Sequence, residues 1–206
     1  FDGYTFKIFR SNRDDSGSIG NNFIHSLYED RNGILWVGTE NGLYSYNAGT
    51  ENFSLLSGTV DAPVTSITMD GDGTLWFIAG FTLVKYLQGK PLVLYDIAAY
   101  FEVTSVCTAP NGILWISSPD GNLRKYNAPT NTFTAYDVFA HSARAGSRWI
   151  EKIYAAANGN ILIGTGRQGA KIFEVSAGSY KDIIAYNADG TEIFARNSHH
   201  NISIFC

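Results

Sequence analysis

Cysteine, positive charge and long apolar runs are all scarce in this sequence of 206 residues. Its two cysteines, Cys107 and Cys206, are too few for a disulfide framework, and Cys107, which lies in an apolar run, is predicted to be a buried thiol. Fifteen Lys and Arg against nineteen Asp and Glu give a net charge of -4, which argues against a surface that binds nucleic acid. No apolar run approaches ~18 residues, so no segment is expected to span a membrane.

Helical periodicity is also missing over any stretch of ~10 residues. The sequence is instead rich in turn-forming and aromatic residues, with 21 Gly, 13 Phe, 12 Tyr and 4 Trp. Glycine favours tight turns, and aromatic side chains favour strands. With 45% hydrophobic and 17% charged residues, the composition is that of a globular chain and predicts an all-β fold.

A short motif, made of a turn dipeptide and an apolar run, occurs four times in the chain. Its glycines are spaced by 40, 39 and 47 residues and are Gly33, Gly73, Gly112 and Gly159. Three residues after the glycine, the first three copies carry tryptophan and the fourth carries leucine: Trp36, Trp76, Trp115 and Leu162. Each copy contains four short β runs, and the first two are joined by an Asn-Gly or Asp-Gly turn that tolerates positive φ angles.

Four antiparallel strands in a repeat of about 40 residues are typical of a β-propeller blade. One blade cannot bury both of its apolar faces, so blades are expected to stack with the tryptophans packed between neighbouring sheets. The prediction is an all-β propeller of about four four-stranded antiparallel blades with partial terminal strands, in an incomplete ring. Within this single propeller segment, the predicted parts are an outer strand and connector (1–18), four blades (19–61, 62–102, 103–148 and 149–190) and a remnant of a further blade (191–206).

The stretch from Ile24 to Asn47 resembles the repeat of the two-component regulator propeller family. That repeat has an apolar first strand, then Asp-x-x-Gly-x-Leu-Trp-x-Gly-Thr, then x-x-Gly-Leu-x-x-Tyr/Phe, and the stretch matches it almost throughout. The second and third copies match well, whereas the fourth departs from the pattern at Ala156 and Leu162. The chain opens inside a strand and without an initiator Met, so it is expected to be a piece of a longer protein.

The resemblance implies a function that composition alone does not show. Members of this family form the periplasmic sensor regions of hybrid two-component systems in Bacteroides-type gut bacteria, where they detect oligosaccharides. The resemblance therefore implies a non-catalytic sensor segment that recognises an oligosaccharide or transmits its binding, in a parent protein with a histidine kinase. The remaining blades and an Ig-like domain of the parent would be its partners, and exposed blade edges would allow self-association.

In such propellers, the loops between second and third strands and the segments entering the first strands share one face around the central channel. Four candidate ligand-binding residues lie at the entry of the fourth blade or within it, where an aromatic ring stands beside polar side chains suited to sugars: Arg148, Trp149, Arg167 and Gln168. The loops of the other blades supply four more candidates: Glu40, Asn41, Phe81 and Asp120. Trp149 has no counterpart Trp in the other copies, and the alternative is that it caps the core of a long, irregular blade.

No residue set for catalysis or metal binding stands out, so neither a cofactor nor a metal is predicted. The sequence from Asp70 to Gly73 resembles the start of a calcium loop, but Phe81 stands where the bidentate Glu is needed, so a turn is predicted. His199 and His200 are adjacent and would point to opposite sides of a strand. Two other functions stay open: an interaction or structural propeller without a small ligand, and, with less support, a streptogramin-lyase-like enzyme.

Overall fold

A computed structural model describes residues 6–59, 61–95, 102–140 and 146–184, and these residues form strands and turns without a helix. In the same residues, no helix is long and apolar enough to cross a membrane. The strands, in chain order, are β1 (Ile24–Glu29), β2 (Leu35–Thr39), β3 (Gly42–Asn47), β4 (Asn52–Leu55), β5 (Val64–Met69), β6 (Leu75–Ala79), β7 (Thr82–Tyr86), β8 (Val93–Tyr95), β9 (Ser105–Thr108), β10 (Leu114–Ser117), β11 (Asn122–Asn127), β12 (Thr132–Asp137), β13 (Ile150–Ala155), β14 (Ile161–Thr165), β15 (Ala170–Glu174) and β16 (Ser179–Ile183).

Every four consecutive strands form one antiparallel sheet, hydrogen-bonded in chain order, which we number blade 1 to blade 4. The first strand of each blade lies beside the first strand of the next, so that β1, β5, β9 and β13 form the inner edge of an arc. Within the described residues, β1 and β13 make no comparable contact, and the arc does not close into a ring. The prediction of an all-β fold built from four-stranded antiparallel blades in an incomplete ring is confirmed.

The turn between the first two strands is held by a buried aspartate in blades 1 and 2. In blade 1, one carboxylate oxygen of Asp30 accepts the backbone N–H groups of Asn32 and Ile34, and the other accepts the indole N–H of Trp36 at 3.0 Å. Gly33 adopts a φ of 76° in this turn, a region that favours glycine. Asp70 makes the same contacts in blade 2, so the segment predicted to be a turn rather than a calcium loop is a turn.

The three repeated tryptophans are buried, each at the interface with the following blade. Trp36 packs with residues of blade 2, Trp76 with residues of blade 3 and Trp115 with residues of blade 4. This confirms the prediction that the tryptophans form the core between sheets. Ile161 and Ile163 face blade 3, and adjacent residues of a strand point to opposite faces, so Leu162 lies on the far face of blade 4.

Serine hydroxyls join the inner strands of successive blades. These contacts run from Ser26 Oγ to the carbonyl of Val64 (2.9 Å), from the N–H of Val106 to Ser66 Oγ (3.2 Å) and from the N–H of Ile153 to Ser105 Oγ (3.2 Å). Blade 1 also approaches blade 2 closely, since a Cβ added to Gly38 would lie 2.3 Å from the carbonyl oxygen of Val64. The spacing between blades is therefore set by small residues at the inner edge.

The segment before β1 covers the face of blade 1 that points away from blade 2. The ring of Phe9 packs against Tyr46 and Phe53, with ring centroids 5.2 and 5.4 Å apart, and the N–H of Phe53 donates to the carbonyl of Gly17 at 2.7 Å. Cys107 is buried, as predicted. Cys206, the His199–His200 pair and the whole remnant 191–206 lie outside the described residues.

Candidate functional site

The loops and entering segments meet at one end of the four inner strands, and we call this surface the upper rim. Its residues are 21–25, 39–42, 61–65, 79–82, 102–104, 118–121, 147–151 and 165–169. In three blades, the residue after the second strand donates its N–H to the residue before the first strand: Glu40 to Phe23 (3.0 Å), Gly80 to Pro63 (2.9 Å) and Gly166 to Trp149 (3.0 Å). The repeat therefore positions both classes of segment side by side within a blade.

Contacts between blades make the upper rim continuous. Each loop between second and third strands bonds to the segment entering the next blade: Asn41 Oδ1 accepts the N–H of Asp61 (2.7 Å), the carbonyl of Phe81 accepts the N–H of Val103 (3.0 Å), and the carbonyl of Asp120 accepts Arg148 Nε (2.9 Å). The eight predicted site residues are thus distributed along one arc rather than gathered in one pocket.

On blade 1, the upper rim carries a His–Glu pair within hydrogen-bonding distance, beside an exposed ring. His25 Nε2 lies 2.5 Å from Glu40 Oε2, and both side chains are partly exposed. Phe23 is 73% exposed and stands two residues before His25. Phe81, in the corresponding loop of blade 2, is 52% exposed. Two aromatic rings and a polar pair are therefore open to a ligand on this half of the arc.

Asp120 is held by a buried arginine at the junction of blades 3 and 4. Arg124, only 8% exposed, donates Nη2 to Asp120 Oδ2 at 2.8 Å and also contacts the hydroxyl of Ser118. Burial raises the pKa of the Asp120 carboxyl, but hydrogen bonds from Arg124, Ser118 and Asn122 outweigh it and hold that pKa well below its usual value. Asp120 is therefore an ionised structural group that orients its loop.

Arg148 fastens the entry of blade 4 to blade 3. Besides its bond to the carbonyl of Asp120, it donates Nη2 to Asp137 Oδ1 at 2.6 Å, and its guanidinium lies 5.4 Å from the ring centroid of Phe139. Its side chain remains 42% exposed. The neighbouring Trp149 is half-buried against the loop that begins at Gly166.

The remaining two candidates lie in the loop between β14 and β15. Gln168 Nε2 donates to the carbonyl of Ser147 at 3.1 Å, which ties this loop to the segment entering blade 4. Arg167 is exposed beside it. The structure therefore brings Arg148, Trp149 and Gln168 together at one end of the upper rim, whereas Glu40 and Asn41 lie on blade 1.

Sequence reasoning did not include Phe23 among the site residues. Phe23 and Trp149 occupy the same place in the repeat, directly before the first strand, and this equivalence was the signal that could have identified Phe23. Within the described residues, no group of three or more His, Cys, Asp or Glu side chains could hold a metal ion. The upper rim offers aromatic stacking surfaces and hydrogen-bonding groups.

The stabilisation that Asp120 provides should be lost only in strong acid. Its pKa is lowered in the folded state, so its contribution is complete above the pKa of an unfolded Asp, about 4, and disappears as the pH falls through the folded pKa. Asp120→Asn should therefore destabilise the protein at about pH 7, and the difference from the unchanged protein should shrink towards about pH 2. Urea unfolding at both pH values measures this. A loss of unfolding free energy that is equal at the two pH values would contradict this prediction. Asp72→Asn, on an exposed turn, is the matched control.

Comparisons with known proteins agree with this architecture. Residues 18–41 match the family model described as two component regulator propeller. No curated protein matches the sequence. Among solved structures, the extracellular domain of the hybrid two component system BT3049 from B. thetaiotaomicron superposes with a TM-score of 0.72 at 21% identity, covering 92% of this chain and 25% of that one.

Two other solved structures share the fold. The extracellular domain of the hybrid two component system BT4673 from B. thetaiotaomicron has a TM-score of 0.61 at 20% identity, with 82% of this chain and 22% of that one covered. Virginiamycin B lyase from Staphylococcus aureus has a TM-score of 0.61 at 14% identity, with 82% of this chain and 61% of that one covered. The chain spans about a quarter of the length of the two sensor domains that it matches.

Proposed function

We propose that this chain, which carries a two component regulator propeller repeat at residues 18–41, is a non-catalytic sensor segment of a hybrid two-component signalling protein and that its upper rim recognises an oligosaccharide. The fold shared with extracellular sensor domains supports the sensor role. We propose a periplasmic location as well, since the matched structures are extracellular domains. The remaining blades, an Ig-like domain and a histidine kinase would be other parts of the parent protein.

The observation that carries the proposal is the composition of the upper rim. Phe23 and Phe81 expose large parts of their rings, and Trp149 is half-buried beside the loop that begins at Gly166. Polar groups that can bond sugar hydroxyls, those of Glu40 and Gln168 among them, stand beside these rings. A pyranose presents a C–H face that packs on an aromatic ring and hydroxyls that require directional partners, so this combination suits a carbohydrate.

A thermal-shift screen tests the proposal. The chain is heated with a panel of plant and host oligosaccharides, and a ligand that binds the folded state must raise the melting temperature. We expect at least one member of the panel to give a saturable rise. A flat response across the panel by a folded chain would favour the other function considered for the sequence, a propeller that binds proteins or only supports neighbouring blades.

Removal of a ring from the upper rim should weaken the binding of the oligosaccharide identified by this screen. We expect Phe23→Ala and Trp149→Ala each to raise the dissociation constant about tenfold or more, the scale of an anchor residue. Isothermal titration calorimetry measures the change. Phe23 is the cleaner position, since its exposed ring contributes little to the core.

The matched control is Leu94→Ala, which removes an exposed apolar side chain from β8, on the outer edge of blade 2. This variant should leave the dissociation constant unchanged. If Phe23→Ala and Trp149→Ala bind as tightly as the control, the upper rim is not the binding surface.

A further inference from the structure

A groove lies between blades 1 and 2, at the end of the strands opposite the upper rim. Its volume is about 210 Å³, and its lining includes Trp36, Ser45 and Leu56 of blade 1 and Tyr86 of blade 2. This is less than the ~300–1,000 Å³ of sites for drug-sized ligands, so the groove suits one group of side-chain size. We call it the lower groove, and none of its lining residues belongs to the upper rim.

The interface between blades 2 and 3 shows which group occupies the same place in another copy of the repeat. In blade 1, Ser45 pairs with Trp36 across β3 and β2. In blade 2, Lys85 pairs with Trp76 in the same register, so lysine replaces serine at this position. The Nζ of Lys85 lies 5.3 Å from the ring centroid of Trp76 and 5.9 Å from that of Tyr126, distances at which a ring face attracts a cation.

A second substitution within the repeat widens the interface between blades 1 and 2. In blade 1, the carbonyl of Leu43 accepts the N–H of Leu56. Leu83 has the place of Leu43 in blade 2 and pairs with Tyr95, so leucine stands in blade 1 where blade 2 has tyrosine. The ring of Tyr95 lies 5.2 Å from that of Trp76 between centroids. The smaller side chains at both positions of blade 1 account for the lower groove.

The pair of rings that the lysine contacts is present in both interfaces. Trp36 and Tyr86 meet edge to face, with centroids 6.1 Å apart and ring planes inclined by 72°. Trp76 and Tyr126 meet in the same way, at 5.0 Å and 65°. The lower groove therefore has the aromatic surface of a cation site, but serine stands at the position from which lysine reaches the rings in blade 2.

The wall of the lower groove is also negatively charged. All of its lining residues belong to the described part of the chain, and among them Asp30 has the one charged side chain. The Asp30 carboxylate accepts three hydrogen bonds, from the N–H groups of Asn32 and Ile34 and from the indole of Trp36, and a carboxylate has about four lone-pair sites. The hydroxyl of Ser45 adds a further acceptor. This wall favours a cation with N–H donors.

We propose that the lower groove binds the primary ammonium group of a small alkylamine, with the nitrogen over the rings of Trp36 and Tyr86 and the alkyl chain against Leu56. Its three N–H donors match the acceptors of Asp30 and Ser45. The ligand is thus of a different chemical class from the oligosaccharide of the upper rim, and the two sites bind independently.

Nuclear magnetic resonance titration of the indole N–H signal of Trp36 tests the inference. The probes are Nα-acetyl-lysine amide and Nα-acetyl-norleucine amide, which has the alkyl chain without the amine. We expect the lysine amide to shift the signal in a saturable way and to bind about tenfold or more tightly than the norleucine amide. Equal binding of the two amides, or no shift of the signal by either, would overturn the inference.

Ser45→Lys tests the location of the site, because it places an ammonium in the lower groove as Lys85 does in the next interface. This variant should weaken the lysine amide about tenfold or more. Thr130→Lys, on the exposed turn between β11 and β12, adds the same charge and should leave the affinity within roughly twofold. Unchanged binding by a folded Ser45→Lys variant would overturn the site, and the comparison of the two amides on the unchanged chain remains decisive if the variant does not fold.

Discussion

Trp76→Ala is expected to lower the free energy of unfolding by about 3–5 kcal/mol, the cost of removing a fully buried aromatic side chain from a core. Trp76 is 0% exposed and lies between blades 2 and 3, with the rings of Tyr95 and Tyr126 5.2 and 5.0 Å away between centroids. The truncation would leave a cavity between two sheets, which could close only if one whole sheet moved towards the other. Urea unfolding followed by circular dichroism measures the loss.

Blade 4 supplies the control position for this prediction. Leu162 occupies the same position of blade 4, but it is half-buried on the far face of that blade. Leu162→Ala should therefore cost only about 1 kcal/mol, the scale of partial burial. Equal losses for the two variants would show that the repeated aromatic position does not stabilise the contact between blades.

Asp70→Ala should be nearly as damaging, with a loss of about 2–4 kcal/mol. The Asp70 carboxylate is buried and accepts three hydrogen bonds, from the N–H groups of Asp72 and Thr74 and from the indole of Trp76 at 2.7 Å. Alanine would leave these buried donors without an acceptor, and each unsatisfied donor costs ~1–3 kcal/mol before local relaxation. The same unfolding experiment measures the effect.

Asp72→Ala is the matched control, because Asp72 lies in the same turn with an exposed side chain. Its effect should stay within about 0.5 kcal/mol, as for most surface substitutions. If Asp70→Ala loses no more stability than the control, the positive φ angle of Gly73 holds the turn without help from the Asp70 carboxylate.

The sequence allowed the blades to be predicted because each local signal agrees with the fold. Gly33 and Gly73 adopt the positive φ angles that their turns require, and the tryptophans three residues later reach the next sheet. Local turn chemistry and a repeated core residue therefore suffice to identify a blade.

The upper rim could be predicted only in part, because its geometry depends on contacts between blades. Sequence reasoning treated Arg148 and Asp120 as independent ligand-binding candidates, whereas the structure joins them through the Asp120 carbonyl and fixes Asp120 on the buried Arg124. Such pairings involve residues far apart in the chain, and no periodic pattern records them. The serine contacts at the inner edge likewise join residues about 40 positions apart, because the fold places the four inner strands side by side.

The location of a bound sugar tests the central claim most directly. A crystal structure of the chain with the oligosaccharide identified by thermal shift would show which surface the sugar occupies. The account predicts that sugar rings lie on the upper rim, in contact with Phe23, Phe81 or Trp149. An oligosaccharide bound on the outer strands β4, β8, β12 or β16, with these three rings free, would contradict it.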